Sequence, residues 1–367
     1  MLLVQSERNA LLSSLSAVVG VVERRHTLPI LSNLLLEKKG NQLTLLATDL
    51  ELQISTQQTV DAGEDFAITI AARKLFDIVR ALPDSAKVKL DSKDSQVVVS
   101  AGKSRFTLQT LPAADFPRVE TGAGLGAAIS LPQKTLKRLL QLVQFAMASQ
   151  DIRYYLNGML LVLEGKQLRV VATDGHRLSY AETQLENEAE TREVIIPRKT
   201  VVELSKLLGD VDDPVELRIG ANQVTITLPE TELVTKVVDG KFPDYQRVIP
   251  MNQPRQLKAN RQNVMQALQR AAILSNEKFR GVRLVMSENT LGIVCNNNEQ
   301  EEAADEIEVS YNGEPLDVGF NVTYLLDGLG ALNSEEIMLS LADANSSMLL
   351  SSEGEVGFKY VVMPMRI

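Results

Sequence analysis

The sequence predicts an α+β protein built from three tandem copies of one domain, each with two helices and antiparallel sheets. Residues 40–57, 165–182 and 288–305 are three versions of one passage, in which Leu43, Leu168 and Leu291 are separated by 125 and 123 residues. The same two offsets relate Asn33, Gly158 and Gly281, each ahead of a strand, and Arg73, Arg198 and Asn321, each opening a helical run. Offsets shared by landmarks in different parts of the unit mark internal repetition. The 367 residues therefore divide into expected domains at 1–126, 127–253 and 254–367, each long enough to bury its own core.

The order of elements repeats. A helix comes first, at residues 11–19, 134–147 and 263–274, where apolar residues recur at spacings of three and four. Strands follow, at 34–36 and 43–47 in the first unit and at 159–163 and 168–172 in the second. A second helix is expected over 73–82, 198–208 and 322–332. The first two of these end in Leu-Pro-Asp or Leu-Gly-Asp, residues that stop a helix. Further strands, such as 87–90, 97–100 and 105–110, close the unit. Residues 122–128 and 250–254 are rich in Gly/Ala or Pro, lack the periodic pattern and read as linkers.

Composition bounds the function. A chain with 44% hydrophobic and 23% charged residues is an ordinary soluble globular one. With no Trp and 4% aromatic content, its cores must be aliphatic. Cys295 is the one cysteine, so no internal disulfide forms, which fits a reducing compartment, and its apolar strand context reads as packing. Residues 11–22 are apolar enough to resemble a signal peptide, but no small-residue cleavage pattern follows. Leu11, Leu15 and Val18 recur 125 residues on as Leu136, Leu140 and Val143, so this is the first helix of the first unit. No stretch approaches the length of a membrane span, and a cytoplasmic location is expected. The net charge of −9 divides as 0, −2 and −7 over the three units. Such asymmetry suits a last domain that meets a more basic surface on another copy's first domain.

Residues 173–177, Thr-Asp-Gly-His-Arg, set a histidine beside a carboxylate. The chain has only His26 and His176, and the related Thr48-Asp49 and Asn296-Asn297 lack both the Gly and the His. No cysteine pair, metal-binding motif or Gly-rich phosphate loop accompanies them. The passage reads as the wall of a binding pocket, with a strand-end turn as the plain alternative; no catalytic residue, metal or cofactor is expected. Residues 150–156 gather Arg153, Tyr154 and Tyr155 in a loop, where such groups stack on and pair with nucleic acid. A polar loop with aromatics tucked inward is the alternative. Residues 24–26 and 278–280 occupy the corresponding basic loops.

Basic side chains recur on the helix faces: Arg73, Lys74 and Arg80; Lys134, Lys137 and Arg138; Arg198, Lys199 and Lys206; Arg261 and Arg270. In an acidic protein their return on equivalent helices suits a surface aimed at phosphates, although solvated helix faces are commonly basic. The acidic run at 299–306 has a complement in Lys103, Arg105 and Phe106 of the first unit. The methionine-rich end, residues 361–367, suits an adaptable partner groove.

Residues 27–31, 104–106, 111–117, 151–158, 171–178, 241–248, 271–283 and 360–366 together resemble the bacterial DNA polymerase III beta subunit family, the sliding clamps. The matching blocks span all three units. The resemblance implies a homodimeric ring, joined head to tail, around double-stranded DNA whose sequence it does not read. It implies a peptide pocket at Leu156, Thr173, Gly175, His176, Arg177, Leu178, Pro243, Arg247, Val248, Val361 and Met363. A neighbouring subsite is implied at Arg153, Tyr155, Tyr324, Ser347, Pro364, Met365 and Arg366. The pocket would receive short linear motifs of polymerases, the clamp loader and repair proteins, anchored by a Leu or Phe. DNA-facing positions implied are Arg25, Arg73, Gln150, Tyr154, Tyr155 and Lys199. At the dimer seam stand Lys74, Lys103, Arg105, Phe106, Leu108, Ile273, Leu274, Glu299, Glu301 and Glu302. Gln96 and Asn298, near that seam, depart from a relative's arginine and proline, which bears on how firmly the seam holds.

A geometric estimate agrees with a dimer. Helices pack about 10 Å apart, so six on a circle enclose a hole of about 9 Å, whereas twelve enclose about 28 Å, enough for a duplex roughly 20 Å across. One chain supplies six helices; two supply twelve.

Overall fold

The computed structural model describes residues 1–23, 28–60, 63–120, 122 and 124–366. Among them, six α-helices form at the expected places: α1 (Arg8–Val19), α2 (Ala72–Ala81), α3 (Gln133–Val143), α4 (Arg198–Leu207), α5 (Arg261–Ala271) and α6 (Val322–Ala331). In α2 the buried residues are Ala72, Leu75 and Val79, one stripe at the helical period. Asn260 and Asn321 cap α5 and α6 with their side-chain oxygens, satisfying backbone N–H groups that the first turn leaves free. The third-unit helix expected over 263–274 and its second-unit counterpart over 134–147 each end as short 3-10 turns, Ala272–Leu274 and Gln144–Ala146. No described helix is long and apolar enough to cross a membrane.

Helix ends are also fixed by arginines from the sibling helix. Arg8, which opens α1, donates to the carbonyls of Val79 (3.1 Å) and Arg80 (2.6 Å) at the end of α2. Arg261, which opens α5, donates to Leu329 and Ser334 around the end of α6. A guanidinium at a helix C-terminus satisfies orphan carbonyls and opposes the negative end of the dipole.

The chain divides into two compact units, residues 1–134 with 202–237, and 135–201 with 238–367, and the second repeat contributes to both. The first unit holds one sheet of twelve strands. Its order is Leu2–Glu7, Lys87–Lys93, Gln96–Ala101, Ser104–Leu111, Phe66–Ala71, Asn33–Lys39, Gln42–Thr48, Leu52–Thr59, Thr231–Lys236, Gln223–Thr227, Pro214–Ile219 and Ile129–Pro132. The second unit holds a six-stranded sheet, ordered Gly158–Thr173, Arg177–Pro197, Lys359–Val362, Met348–Ser351, Glu336–Leu341 and Arg255–Asn260. It also holds a four-stranded sheet, ordered Glu302–Glu308, Thr290–Asn296, Gly281–Ser287 and Leu316–Asn321.

In each unit one ladder joins strands of different repeats. Leu52–Thr59 pairs antiparallel with Thr231–Lys236, for example Ile54 with Leu233. Arg177–Pro197 pairs antiparallel with Lys359–Val362, for example Leu178 with Val361. The core beneath is aliphatic, as the composition requires, with Tyr311, Tyr360 and Phe320 the largest fully buried side chains.

One expectation needs correction. Residues 159–163 and 168–172, read as two strands, form one ladder with Arg177–Pro197. Gly165 adopts φ 57°, and the register shifts on either side of it, so the turn signal is absorbed as a bulge rather than ending the strand.

Gly328 on α6 is required by a close approach. A Cβ there would stand 2.5 Å from the Tyr360 ring, which is fully buried and cannot retreat. Gly328→Ala should therefore lower the unfolding free energy by about 1–3 kcal/mol through overpacking, read from denaturant titration. An unchanged or raised midpoint would refute this packing.

Candidate functional site

Within the second compact unit, the ladder between Arg177–Pro197 and Lys359–Val362 ends beside a cavity of about 460 Å³. Leu156, Leu178 and Val361 are buried in its walls, while Val248 and Met363 stay exposed at 44% and 49%. Thr173, Gly175, His176, Pro243 and Ser347 complete the lining together with Arg153, Tyr155, Arg177 and Arg247. The Met363 N–H donates to the His176 carbonyl (3.0 Å), continuing the ladder past its last strand residue. A groove with an apolar floor and a polar rim receives an apolar anchor and fixes its orientation by few polar groups.

The turn at residues 173–177 is built on hydrogen bonds from its own side chains. Asp174 Oδ1 accepts the backbone N–H groups of His176 (2.9 Å) and Arg177 (3.0 Å). The Thr173 hydroxyl donates to the Arg177 carbonyl (2.6 Å) and accepts from Gly175 N–H (3.1 Å). Asp174 Oδ2 receives Arg177 Nε (3.1 Å), so the carboxylate beside His176 is committed to the turn and to this arginine. Gly175 has φ 90°, and a Cβ there would lie 3.0 Å from Arg153 Nη1.

Arg177 points inward and is 10% exposed. Nη1 donates to Asp327 of α6 (2.5 Å) and Nη2 to the Phe145 carbonyl (2.7 Å). The guanidinium lies 4.4 Å from the Tyr324 ring centroid and 5.5 Å from that of Phe145. Burial works against its charge, but the Tyr360 oxygen and Asp327, with Asp174, outweigh it and leave the group's pKa above its ordinary value. Arg177 therefore organises the wall rather than offering a free cation to the cavity.

At the other end, Asp151 holds Arg153 by both carboxylate oxygens, at 2.8 to 3.0 Å, and Asn157 fixes the loop by accepting from Asp151 N and donating to its carbonyl. The Arg153 side-chain and backbone donors pull the Asp151 pKa down to about 2. Arg153 Nη2 also donates to the Asp174 carbonyl (3.2 Å). Tyr154 and Tyr155 meet edge to face, ring centroids 5.9 Å apart, with Tyr154 exposed. Arg247 pairs with Asp244 at 2.9 Å on the opposite rim.

The structure brings together fourteen of the residues predicted for the pocket and its subsite in this one cavity. Tyr324, Pro364, Met365 and Arg366 are not in its lining. Tyr324 lies under Arg177, and Met365 donates to the Gly319 carbonyl (2.9 Å). Asp327, Phe145 and Gln253, whose amide donates to the Ser347 carbonyl (3.0 Å), escaped the sequence reading. Each supports the wall from an element distant in sequence, and no local motif marks it.

Of the DNA-facing positions, Arg25 lies outside the described residues. Gln150 is exposed, with φ 57°. Arg73 donates to the Val22 carbonyl (2.5 Å) and, with Lys74, lines a second cavity of about 530 Å³ in the first unit. Lys199 is half-buried. The basic helix faces are less free than the sequence suggests. Arg138 pairs with Glu355, Arg270 with Asp305, Lys134 with Asp212, Lys206 with Glu203 and Arg80 with Asp77, while Arg198 donates to the Met147 carbonyl.

The predicted seam residues divide into two groups on the two units. Arg105 and Phe106 are exposed on Ser104–Leu111 and Lys103 in the turn before it, with Leu108 of that strand buried. Glu299, Glu301 and Glu302 are exposed at the edge strand Glu302–Glu308, near Ile273 at 79% exposure and half-buried Leu274.

Repeated units, antiparallel ladders across repeats and a groove where one such ladder ends define a modular α+β repeat protein. Family models for the N-terminal, central and C-terminal domains of the DNA polymerase III beta subunit match residues 3–120, 130–244 and 246–366. The chain is 48% identical over 363 residues to the beta sliding clamp of Pseudomonas putida, covering 98% of this chain and 99% of that protein. It is 46% identical over 362 residues to that of Escherichia coli, with the same coverage. The crystal structure of the DNA polymerase III subunit beta from Pseudomonas aeruginosa matches with a TM-score of 0.93 and 47% identity, covering 100% of both chains. That of a Pseudomonas aeruginosa sliding clamp bound to griselimycin matches at 0.95 and 47%, again with 100% coverage of both. The chain belongs to the DNA polymerase III beta subunit family, the DNA sliding clamps.

Two outcomes follow. Gly175→Leu should keep the fold but displace Arg153 and narrow the cavity, lowering affinity for a groove-binding peptide about tenfold or more by fluorescence anisotropy, about 1.4 kcal/mol. Unchanged affinity would refute the close approach. For Asp151, the folded pKa lies below the ordinary 3.8, so its pairing is fully present above that value and is lost as pH falls through about 2. A carboxyl titration by NMR should show Asp151 ionised throughout pH 4 to 8; a midpoint near or above 3.8 would refute the pairing.

Proposed function

We propose that the protein acts in the cytoplasm as a head-to-tail homodimeric ring that encircles double-stranded DNA without reading its sequence. In this reading the ring makes a polymerase processive by topology, and no bond is made or broken by it. The observation that carries the assembly is a mismatch of strand edges. In two places a strand of one repeat pairs with the last strand of the next, Leu52–Thr59 with Thr231–Lys236 and Arg177–Pro197 with Lys359–Val362. The corresponding strand of the last repeat, Glu302–Glu308, pairs on one side only among the described residues. The last strand of the first repeat, Ser104–Leu111, pairs fully with Gln96–Ala101, while on its other side it meets Phe66–Ala71 only at Thr110 and Leu111.

Those two open edges complement one another in charge. Glu299, Glu301 and Glu302 would face Lys103 and Arg105, with Lys74 nearby, and Ile273 and Leu274 would pack against Phe106 and Leu108. Exposed strand edges invite pairing, and opposite charges fix which edges meet. Because one edge belongs to the first repeat and the other to the last, two copies close without leaving either edge unmatched. Domain boundaries at 126/127 and 253/254 place one clamp domain in each repeat.

Arg25, Arg73, Gln150, Tyr154, Tyr155 and Lys199 are proposed to touch the phosphate backbone weakly enough to allow sliding. The cavity at Leu156, His176, Leu178, Val361 and Met363 is proposed to take linear motifs of the replicative polymerase, the clamp loader and repair proteins. A polymerase tail docked there stays at high effective concentration near the primer end, so dissociation is followed by rapid rebinding.

The test is topological. Loaded on nicked circular DNA, the protein should co-elute with the circle and be lost after linearisation. Phe106→Asp should give monomers in sedimentation and abolish retention. Equal retention on circular and linear DNA would overturn the ring.

A further inference from the structure

The cavity wall depends on a residue that does not touch the cavity. We propose that Asp327 on α6 is a positioning residue that sets which anchor side chain the cavity accepts, an inference that rests on the peptide-binding reading above. Asp327 is absent from the lining, yet it receives Nη1 of Arg177, which is in the lining.

The fork of Arg177 reaches three elements distant in sequence. Nε goes to Asp174 in the turn, Nη1 to Asp327 in α6 and Nη2 to the Phe145 carbonyl in the short 3-10 turn after α3. A guanidinium is planar, so anchoring its nitrogens on separate elements fixes both the plane and the distances between those elements. The face of that plane lies on Tyr324, three residues before Asp327 on the same helix. Residues at that spacing share one helix face, so α6 grips Arg177 by ring and by carboxylate together.

From Arg177 the constraint passes directly into the groove. Arg177 pairs with Val362 and Leu178 with Val361, and the His176 carbonyl receives Met363 N–H. His176, Leu178, Val361 and Met363 all line the cavity. Without the Asp327 charge, Arg177 keeps Asp174 and the turn survives, but the turn is no longer held at a fixed distance from α6. A wall free to shift still closes over a small anchor and no longer fits a large one well. The loss is therefore expected in discrimination rather than in folding. The ion pair joins the buried Arg177 to Asp327, whose side chain is 36% exposed, so solvent screens it and it adds little stability, which also favours a positioning role.

The experiment uses the full-length protein and two synthetic peptides that differ only in a Leu or Ala anchor. Wild type should prefer the Leu peptide by about 50-fold, the difference expected from burying the larger side chain. Asp327→Asn should bind the Leu peptide about tenfold more weakly and the Ala peptide almost as before, with the preference reduced to about fivefold. Asp327→Glu should recover most of the preference. Arg177→Lys, which keeps the charge and loses the fork, should lose it as Asp327→Asn does and serves as the independent variant should Asp327→Asn not fold. The inference is overturned if Asp327→Asn keeps the wild-type preference. It is equally overturned if both peptides weaken together while the melting temperature falls, the pattern of a purely structural residue. Wild type binding neither peptide would reject the peptide-binding reading, and the inference with it.

Discussion

A strand that can complete its ladder only with the next repeat is the constraint on which this molecule depends. Backbone N–H and C=O groups at a strand edge must be satisfied by another strand, by water or by a partner. Leu52–Thr59 of the first repeat finds Thr231–Lys236, and Arg177–Pro197 of the second finds Lys359–Val362. The cavity forms where the second of these ladders ends, because Val361 and Met363 are carried there on the last strand, opposite Leu178 and His176. Backbone pairing between repeats thus creates both the seam and the groove beside it.

The same arithmetic explains why charge is distributed as it is. In the proposed ring, three repeats in a row have two inner seams and two outer edges, and the outer edges are where a partner copy would be chosen. Glu299, Glu301 and Glu302 stand exposed at one, and Lys103 and Arg105 at the other. At the inner seam of the first unit, Glu51 and Lys236 are paired at 3.0 Å in the rim of the ladder, a local contact rather than a field. The net charge of the last repeat, −7 against 0 and −2 for the others, arises from its scarcity of basic residues and suits its place at one edge of the proposed ring.

Much of this was legible in the sequence, for a physical reason. Helices, strands and the repeat offset are local patterns that a period of 3.6 or 2 imposes directly on the residues. The fourteen cavity residues were reached by resemblance to a family, not by periodicity, since they come from five separate stretches of the chain. Asp327 and Phe145 were invisible because their role is to receive donors from Arg177, and nothing about a helix-face aspartate or a backbone carbonyl announces such a donor. The basic helix faces misled in the opposite way. Arg138 and Arg270 look like free cations in one dimension, and they are paired with Glu355 and Asp305 in three.

The three turns that follow the repeated passage show what makes the second one a site. In the first repeat, Asp49 Oδ1 accepts from Glu51 N (3.0 Å) and Leu52 N (2.8 Å), and the Thr48 hydroxyl donates to the Leu52 carbonyl (3.0 Å) and accepts from Leu50 N (3.0 Å). Those are the hydrogen bonds that Asp174 and Thr173 make, atom for atom. In the third, Asn297 Oδ1 accepts from Glu299 N and Glu301 N. The first two turns therefore share one hydrogen-bonded scaffold, the third keeps only part of it, and the first two differ in the side chains mounted on them. Leu50 takes positive φ in the first turn, at 78°, where the second has glycine at 90°. A leucine there costs strain that the first turn tolerates. Glycine relieves that strain and, having no Cβ, also lets Arg153 approach the turn closely. Leu52 becomes Arg177, which turns inward to bind Asp327, and Glu51 becomes His176, which joins the cavity wall. These three differences on one shared turn geometry are what bring Arg153, His176 and Arg177 to the cavity at the second turn.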